Sequence, residues 1–345
     1  MTHTPTQAND PERSVLRILA TVLLPFALAH FISYLYRSVN TVVYPDLVRD
    51  LGLTANTLGL LTGAYFIAFA AAQLPIGVAL DRFGPRKVQL FMLLIATAGG
   101  VVFATAQTLT GLMLGRGLIG LGVAASLMSA IKAASLWLPP SRLPLVTSIL
   151  LAFGGLGAVV STAPMQLALT HISWREAFGV LSLATLAVVG LIFASVPEHP
   201  QKNEVKVNEA LRSVGQLFRT GSFWRLVLYT LFSNAAYMAV QGLWIGPWLR
   251  DVGHLSRSGV ADVLLLGTLG MVAGSLFFGW FTDRMRRHGV RPITVCGSGM
   301  VVFLLFQVMM IHGHLAAPWI VALGFSFFGT ASAMNYAIVA QSMPP

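Results

Sequence analysis

Charge is scarce in this chain. Asp, Glu, Lys and Arg make up only 10% of its 345 residues, while hydrophobic residues make up 56%. A soluble domain carries about 25% charged residues, so this sequence cannot cover a surface that faces water. Cysteine is scarcer still. Cys296 stands alone, which excludes an internal disulfide framework and a Cys-based zinc site. Catalytic signatures are missing as well: no HExxH, GxSxG, phosphate-cradling loop or Cys/His cluster occurs. Neither an embedded enzyme nor an ATP-driven pump is supported, and no cofactor or metal is expected. His312-Gly313-His314 supplies two imidazoles only and reads as a solvated loop. Acidic residues are fewer than basic ones, 12 against 22, for a net charge of +10. A nucleic-acid partner is nonetheless excluded, because the basic residues form short clusters between apolar runs and no continuous basic face.

What the chain has in abundance is long apolar runs. About twenty apolar residues cross a bilayer, and that length predicts helices over 16–40, 55–81, 87–107, 110–138, 144–168, 175–197, 223–249, 259–283, 291–311 and 316–340. The first run is too long for a signal-peptide core, contains His30 and Arg37, and is followed by many like it, so it reads as a retained helix. Residues 1–15 are expected to be a disordered N-terminus and 198–222 a polar linker. Within that linker Leu211, Val214, Leu217 and Phe218 recur at helical spacing, which fits a short amphipathic surface helix as well as a plain solvated stretch. Placing the N-terminus in the cytoplasm leaves fifteen Lys and Arg inside against five outside, which puts both termini inside. The prolines Pro25, Pro75, Pro164 and Pro247 can bend their helices.

One short stretch organises the rest. Gly77-Val78-Ala79-Leu80-Asp81-Arg82-Phe83-Gly84-Pro85-Arg86-Lys87 joins two apolar runs, and a weaker copy follows at Gly279 to Gly289. Gly77, Asp81 and Arg82 match Gly279, Asp283 and Arg284 at one offset of 202 residues, as Pro45 and Leu47 match Pro247 and Leu249. The chain is therefore two related halves, 16–197 with six helices and 223–345 with four.

Polar residues inside apolar runs mark candidate solute contacts. His30, Tyr34, Arg37, Thr41 and Tyr44 are spaced by 4, 3, 4 and 3, which puts them on one helical face. Arg37 offers a planar cationic fork suited to a carboxylate or phosphate, with snorkelling to the membrane surface as the alternative. Its repeat equivalent is Ala239, so the shared scaffold does not require it. His30 can titrate near neutrality, or simply pack. Asn234, Tyr237, Gln241, Trp244 and Trp248 form a neutral stripe in the other half. Tyr65, Gln73, Asn335 and Tyr336 are further candidates. Lys132 and Arg116 lie within apolar runs near their ends, where snorkelling is an option.

The stretch from Gly77 to Lys87 resembles the loop 2–3 motif of the major facilitator superfamily. Arg116-Gly117-Leu118-Ile119-Gly120-Leu121-Gly122, the glycines Gly154, Gly155 and Gly157 with Pro164, and Trp174-Arg175 resemble further elements of that family. The resemblance implies an all-α membrane protein with a two-bundle fold, here six helices plus four, with the last two of a twelve-helix pattern missing. It implies gating roles for Gly77, Asp81, Arg82, Gly84, Arg86, Lys87, Asp283 and Arg284, and a link of Arg116 to proton transfer. In the family the loop aspartate also meets the start of helix 11, a partner this chain does not contain. Tyr36-Arg37-Ser38-Val39-Asn40 resembles the organic-anion branch, although the coupling carboxylates of that branch are absent at Tyr36 and around Gly122-Val123-Ala124-Ala125. The expectation is a secondary active transporter of a small organic anion in the bacterial inner membrane, a monomer whose partners are the solute, the lipid bilayer and, as an open option, a coupling proton. An exporter of neutral or apolar compounds and a truncated, non-transporting protein or sensor are the alternatives.

Overall fold

In a bilayer no water satisfies an unpaired N–H or C=O, so a chain this apolar must form helices or a closed barrel. The computed structural model describes residues 18–139, 142–198, 221–313 and 317–333, and among them no strand occurs. The helices are α1 (Leu24–Ser38), α2 (Asn40–Leu51), α3 (Ala55–Thr105), α4 (Leu109–Val123), α5 (Ser126–Trp137), α6 (Leu143–Val160) and α7 (Ala163–Ala168). They continue as α8 (Trp174–Ser195), α9 (Gly221–Ala239), α10 (Ile245–Asp251), α11 (Arg257–Arg287), α12 (Pro292–His312) and α13 (Pro318–Gly329). Residues 1–15, the linker from 199 to 220, and Asn335 and Tyr336 lie outside the described residues.

Among the described residues seven helical stretches are long and apolar enough to cross a membrane. Their outward faces are apolar too: Ile311 is 80% exposed, Leu276 70% and Phe193 67%. Water would oppose such faces, whereas hydrocarbon accepts them. The stretch Asn56–Thr105 has 50 residues, about 75 Å of helix at 1.5 Å per residue, far more than a bilayer of about 30 Å. Gly84 breaks it, with φ 79° and ψ 163°. Only glycine takes that conformation without strain, so the two expected helices 55–81 and 87–107 meet at this turn.

Prolines place most of the remaining interruptions. A proline removes one N–H and crowds the carbonyl four residues back. Four residues before Pro25 and Pro247 stand Thr21 and Leu243, and each lies in a widened π turn, Leu19–Leu23 and Val240–Trp244. Pro164 opens α7 after a break at Ser161 and Thr162, which divides the expected helix 144–168. Val39 breaks the first helix between α1 and α2, and Gln241, 202 residues later, sits in the second π turn. Both copies of the repeat are thus irregular at one matching position. A turn at Ala124 and Ala125 divides the expected helix 110–138 with no proline nearby.

The helices form two compact units. Of the described residues, the first takes those up to Ser33, those within Gly63–Gly154 and those from Arg175 to Glu198, and the second takes Tyr34–Thr62, Gly155–Trp174 and those from Gly221 on. In the first unit the glycines of α4 allow close approach. A Cβ on Gly120 would collide with the Tyr65 carbonyl, and one on Gly122 with the Ala96 backbone. Small residues at helix contacts let backbones approach and gain dispersion energy. In the second unit Tyr237 stacks on Phe325 at 5.7 Å between ring centres and meets Phe303 edge-on at 6.1 Å.

Candidate functional site

The helical spacing that put Tyr34, Arg37, Thr41 and Tyr44 on one face brings them together in the second unit. The Arg37 guanidinium lies 4.7 Å above the Tyr34 ring, and both side chains are half-buried. Partial desolvation strengthens this cation–π contact. One turn on, the Thr41 hydroxyl donates to the Gly242 carbonyl at 3.0 Å. Gly242 lies in the π turn, where the normal ladder of helical bonds is shifted. A Cβ on Gly246 would meet Thr41. Helix α2 therefore seats directly on the second copy's irregular turn.

The neutral stripe lines the same unit. Gln241 accepts from the Ser326 hydroxyl at 2.9 Å. Tyr237 is buried, and among the described residues its hydroxyl and the Asn40 Oδ1 have no hydrogen-bond partner. Asn234 is half-buried, Trp244 is 39% exposed and packs over Gly59, and Trp248 donates to the Met310 carbonyl at 2.9 Å. A half-buried guanidinium, a row of phenols and an amide can bind a carboxylate together with hydroxyls.

His30, Tyr65 and Gln73 belong to the first unit. His30 is 3% exposed. Gln73 Nε2 reaches the Phe69 and Ala124 carbonyls at 3.4 and 3.5 Å. Arg116 is 1% exposed and does not reach outward. Its guanidinium is held between the rings of Tyr65 and Phe103, 5.3 and 5.6 Å away.

The charged turn at Gly84 has a different wiring from the one its neighbours in sequence suggest. Asp81 pairs with Lys132 of α5, with Nζ to Oδ1 at 2.7 Å. Lys132 therefore engages a carboxylate. Arg86 donates to Glu198 at 3.1 Å and to the Phe193 carbonyl at 2.8 Å, and Lys87 lies 3.6 Å from Glu198. Arg82 lies over the Phe83 ring at 5.3 Å. Arg82, Phe83, Arg86, Lys87 and Glu198 line a cavity of about 350 Å³ that also touches Gly84 and Trp137. Gly77 faces open space. In the second copy Asp283 and Arg284 end α11, where Arg284, Arg286 and Arg287 suit the negative pole of the helix dipole.

Four participants went unnoticed in the sequence. Asp46 and Arg257 form a two-pronged ion pair, Nη1 to Oδ1 at 3.1 Å and Nη2 to Oδ2 at 2.5 Å, and Arg257 Nε also donates to Gln166 at 3.0 Å. Asp50 accepts from the Trp174 indole at 2.9 Å, which accounts for a tryptophan at the start of α8. Asp46 and Arg257 are 211 residues apart, and each sits at the end of an apolar run, where a charge reads as an ordinary loop residue.

A profile of the Major Facilitator Superfamily matches residues 26–345. The chain belongs to that family: it is a multi-pass integral membrane transporter and not an enzyme. It is 25% identical over 325 residues to the probable sulfoacetate transporter of Cupriavidus necator, covering 89% of this chain and 76% of that protein. It is 26% identical over 336 residues to the hexuronate transporter of Bacillus subtilis, covering 92% and 79%. With the probable L-galactonate transporter of Escherichia coli it shares 26% over 341 residues, covering 91% and 73%. The fold matches a bacterial homologue of the human lysosomal transporter Spinster in an inward-facing, occupied conformation, with TM-score 0.71, 19% identity, and coverage of 98% and 76%. It also matches a D-xylose-proton symporter, with TM-score 0.68, 17% identity, and coverage of 93% and 81%.

Proposed function

We propose that the chain is a secondary active transporter of a small organic anion, with Arg37 as the anchor for the solute's carboxylate. The observation that carries the reading is the half-buried guanidinium above the Tyr34 ring, on the same stripe as Thr41 and within the unit that holds Tyr237 and Gln241. A planar fork binds a carboxylate through two charge-assisted hydrogen bonds. Gln241, with its oxygen engaged by Ser326, has two N–H donors to offer solute hydroxyls, and the buried Tyr237 hydroxyl can add a third contact. The relatives support the anionic class: sulfoacetate, hexuronate and galactonate all carry a carboxylate.

In this reading two bundles, 16–197 and 223–345, rock about a central site in a bacterial inner membrane. Both termini face the cytoplasm and the protein acts as a monomer. The turns at Asp81 and Asp283 serve the gates, and buried His30 is the candidate carrier of a coupling proton. The test is calorimetric titration of the purified protein with glucuronate and with glucose, which differ in the carboxylate. The expected result is binding of glucuronate alone, lost in Arg37→Gln. Equal binding of glucose, or undiminished glucuronate binding by the variant, would sink the proposal.

A further inference from the structure

The break at Gly84 separates two apolar segments, 55–81 and 87–107, each long enough to cross a bilayer. The turn between them is therefore held at a membrane surface. The cavity beside it, about 350 Å³, is within the size range of ordinary ligand pockets. Three cations line this space, Arg82, Arg86 and Lys87, against one carboxylate, Glu198. Asp81 does not restore the balance, because Lys132 holds it at 2.7 Å.

The three cations are unequally engaged. Arg86 is tied to Glu198 at 3.1 Å and to the Phe193 carbonyl at 2.8 Å. The Lys87 ammonium is 3.6 Å from the same Glu198 and 61% exposed, so it keeps donors for another oxygen. Arg82 is exposed, and among the described residues it meets the Phe83 ring and no carboxylate. The helical segment that restarts at Pro85 adds to the imbalance. Its first residues line the cavity and carry the positive pole of the helix dipole. An anionic oxygen is what this space lacks.

The surroundings are apolar and aromatic. Phe83 is 54% exposed, and Trp137 lines the cavity with it. Phe193, 5.4 Å from the Arg86 guanidinium, is 67% exposed. Aromatic rings of this kind sit at headgroup level in a bilayer. A free anion gains nothing from such a rim, whereas a phospholipid sets its phosphate among the cations and its glycerol against the rings. Basic pockets between membrane helices take anionic headgroups in this way.

We propose that this cavity binds the phosphodiester of an anionic membrane lipid, held between Arg82 and Lys87, with Phe83 and Trp137 against the glycerol backbone. Glu198 is the competing anion inside the cavity. The site is separate from Arg37 and does not depend on the organic-anion reading.

The test uses the whole chain, purified in detergent and titrated with dioleoylphosphatidylglycerol or dioleoylphosphatidylcholine, with bound lipid counted by native mass spectrometry. Phosphatidylglycerol should bind more tightly, because the choline cation offsets the same phosphate in the other lipid. Arg82→Gln and Lys87→Gln should each weaken phosphatidylglycerol about fivefold and leave phosphatidylcholine unchanged. Glu198→Gln should tighten phosphatidylglycerol, a gain that misfolding does not produce. Arg49→Gln, which removes an exposed cation elsewhere, should change nothing. Equal affinity for the two lipids overturns the site, as does a loss in Arg49→Gln as large as in Arg82→Gln. Weaker binding by Glu198→Gln overturns the competition. Inorganic phosphate that displaces phosphatidylglycerol at equal concentration overturns the choice of a lipid over a free anion.

Discussion

Replacing Arg37 with Gln removes a cationic fork and keeps a side chain of similar reach. A hydrogen bond to a charged group contributes about 1.5–3 kcal/mol, and 1.4 kcal/mol is tenfold in affinity. Arg37 is half-buried, so solvent screens part of the interaction and the lower half of that range applies. The expected loss for glucuronate is about ten- to thirtyfold. Arg37→Lys keeps the charge and loses the planar two-pronged geometry, so its affinity should fall between those of the parent and Arg37→Gln. Folding should change little in either variant, because the equivalent position in the second repeat is Ala239. Isothermal titration gives the affinity, and thermal melting of the same samples gives the stability. Arg37→Gln binding glucuronate like the parent refutes the reasoning. So does a loss of affinity that tracks a fall in melting temperature, because Arg37 would then be structural.

Three further outcomes follow from the same contacts. Gly120→Val forces a side chain into the Tyr65 backbone and should destabilise by about 1–3 kcal/mol or more, whereas Gly117→Val points into open space and should melt like the parent. Equal melting of the two would contradict the packing account. Trp174→Phe removes the indole donor from the Asp50 carboxylate, which keeps Arg49 and contact with solvent, and should cost about 0.5–1.5 kcal/mol, also measurable as a lowered melting temperature. The hydrogen bond from Arg250 holds the Asp251 carboxyl below the usual carboxylate range, with burial opposing. A depressed folded value means its contribution is present above about pH 4, the unfolded value, and lost as pH falls through the folded one. The pair is 41% and 60% exposed, so the effect is small, and Asp251→Asn should give a slightly shallower loss of stability on acidification. Parallel acid profiles would refute it.

Local signals carried most of the fold. Apolar length located the helices, and the doubled Gly-x-x-x-Asp-Arg pattern at Gly77 and Gly279 pointed to the family. Spacing alone put Tyr34, Arg37 and Thr41 on one face. The irregular turns were half legible: Pro25 and Pro247 marked the places, but a kink and a π turn leave the same trace in sequence. Long-range pairs were not legible. Asp81 has three basic residues nearby in sequence yet pairs with Lys132, 51 positions away, because the turn at Gly84 carries its neighbours elsewhere. Asp46 and Arg257 looked like loop charges for the same reason, since only the folded unit makes them neighbours.

The central claim is that this chain moves an organic anion by means of Arg37. Counterflow measures it most directly: the purified protein in liposomes preloaded with glucuronate, diluted into a trace of labelled glucuronate. The account predicts accumulation of label that saturates, is competed by sulfoacetate or galactonate but not by glucose, and falls at least tenfold in Arg37→Gln. Accumulation undiminished in that variant, or competed equally by glucose, would contradict it.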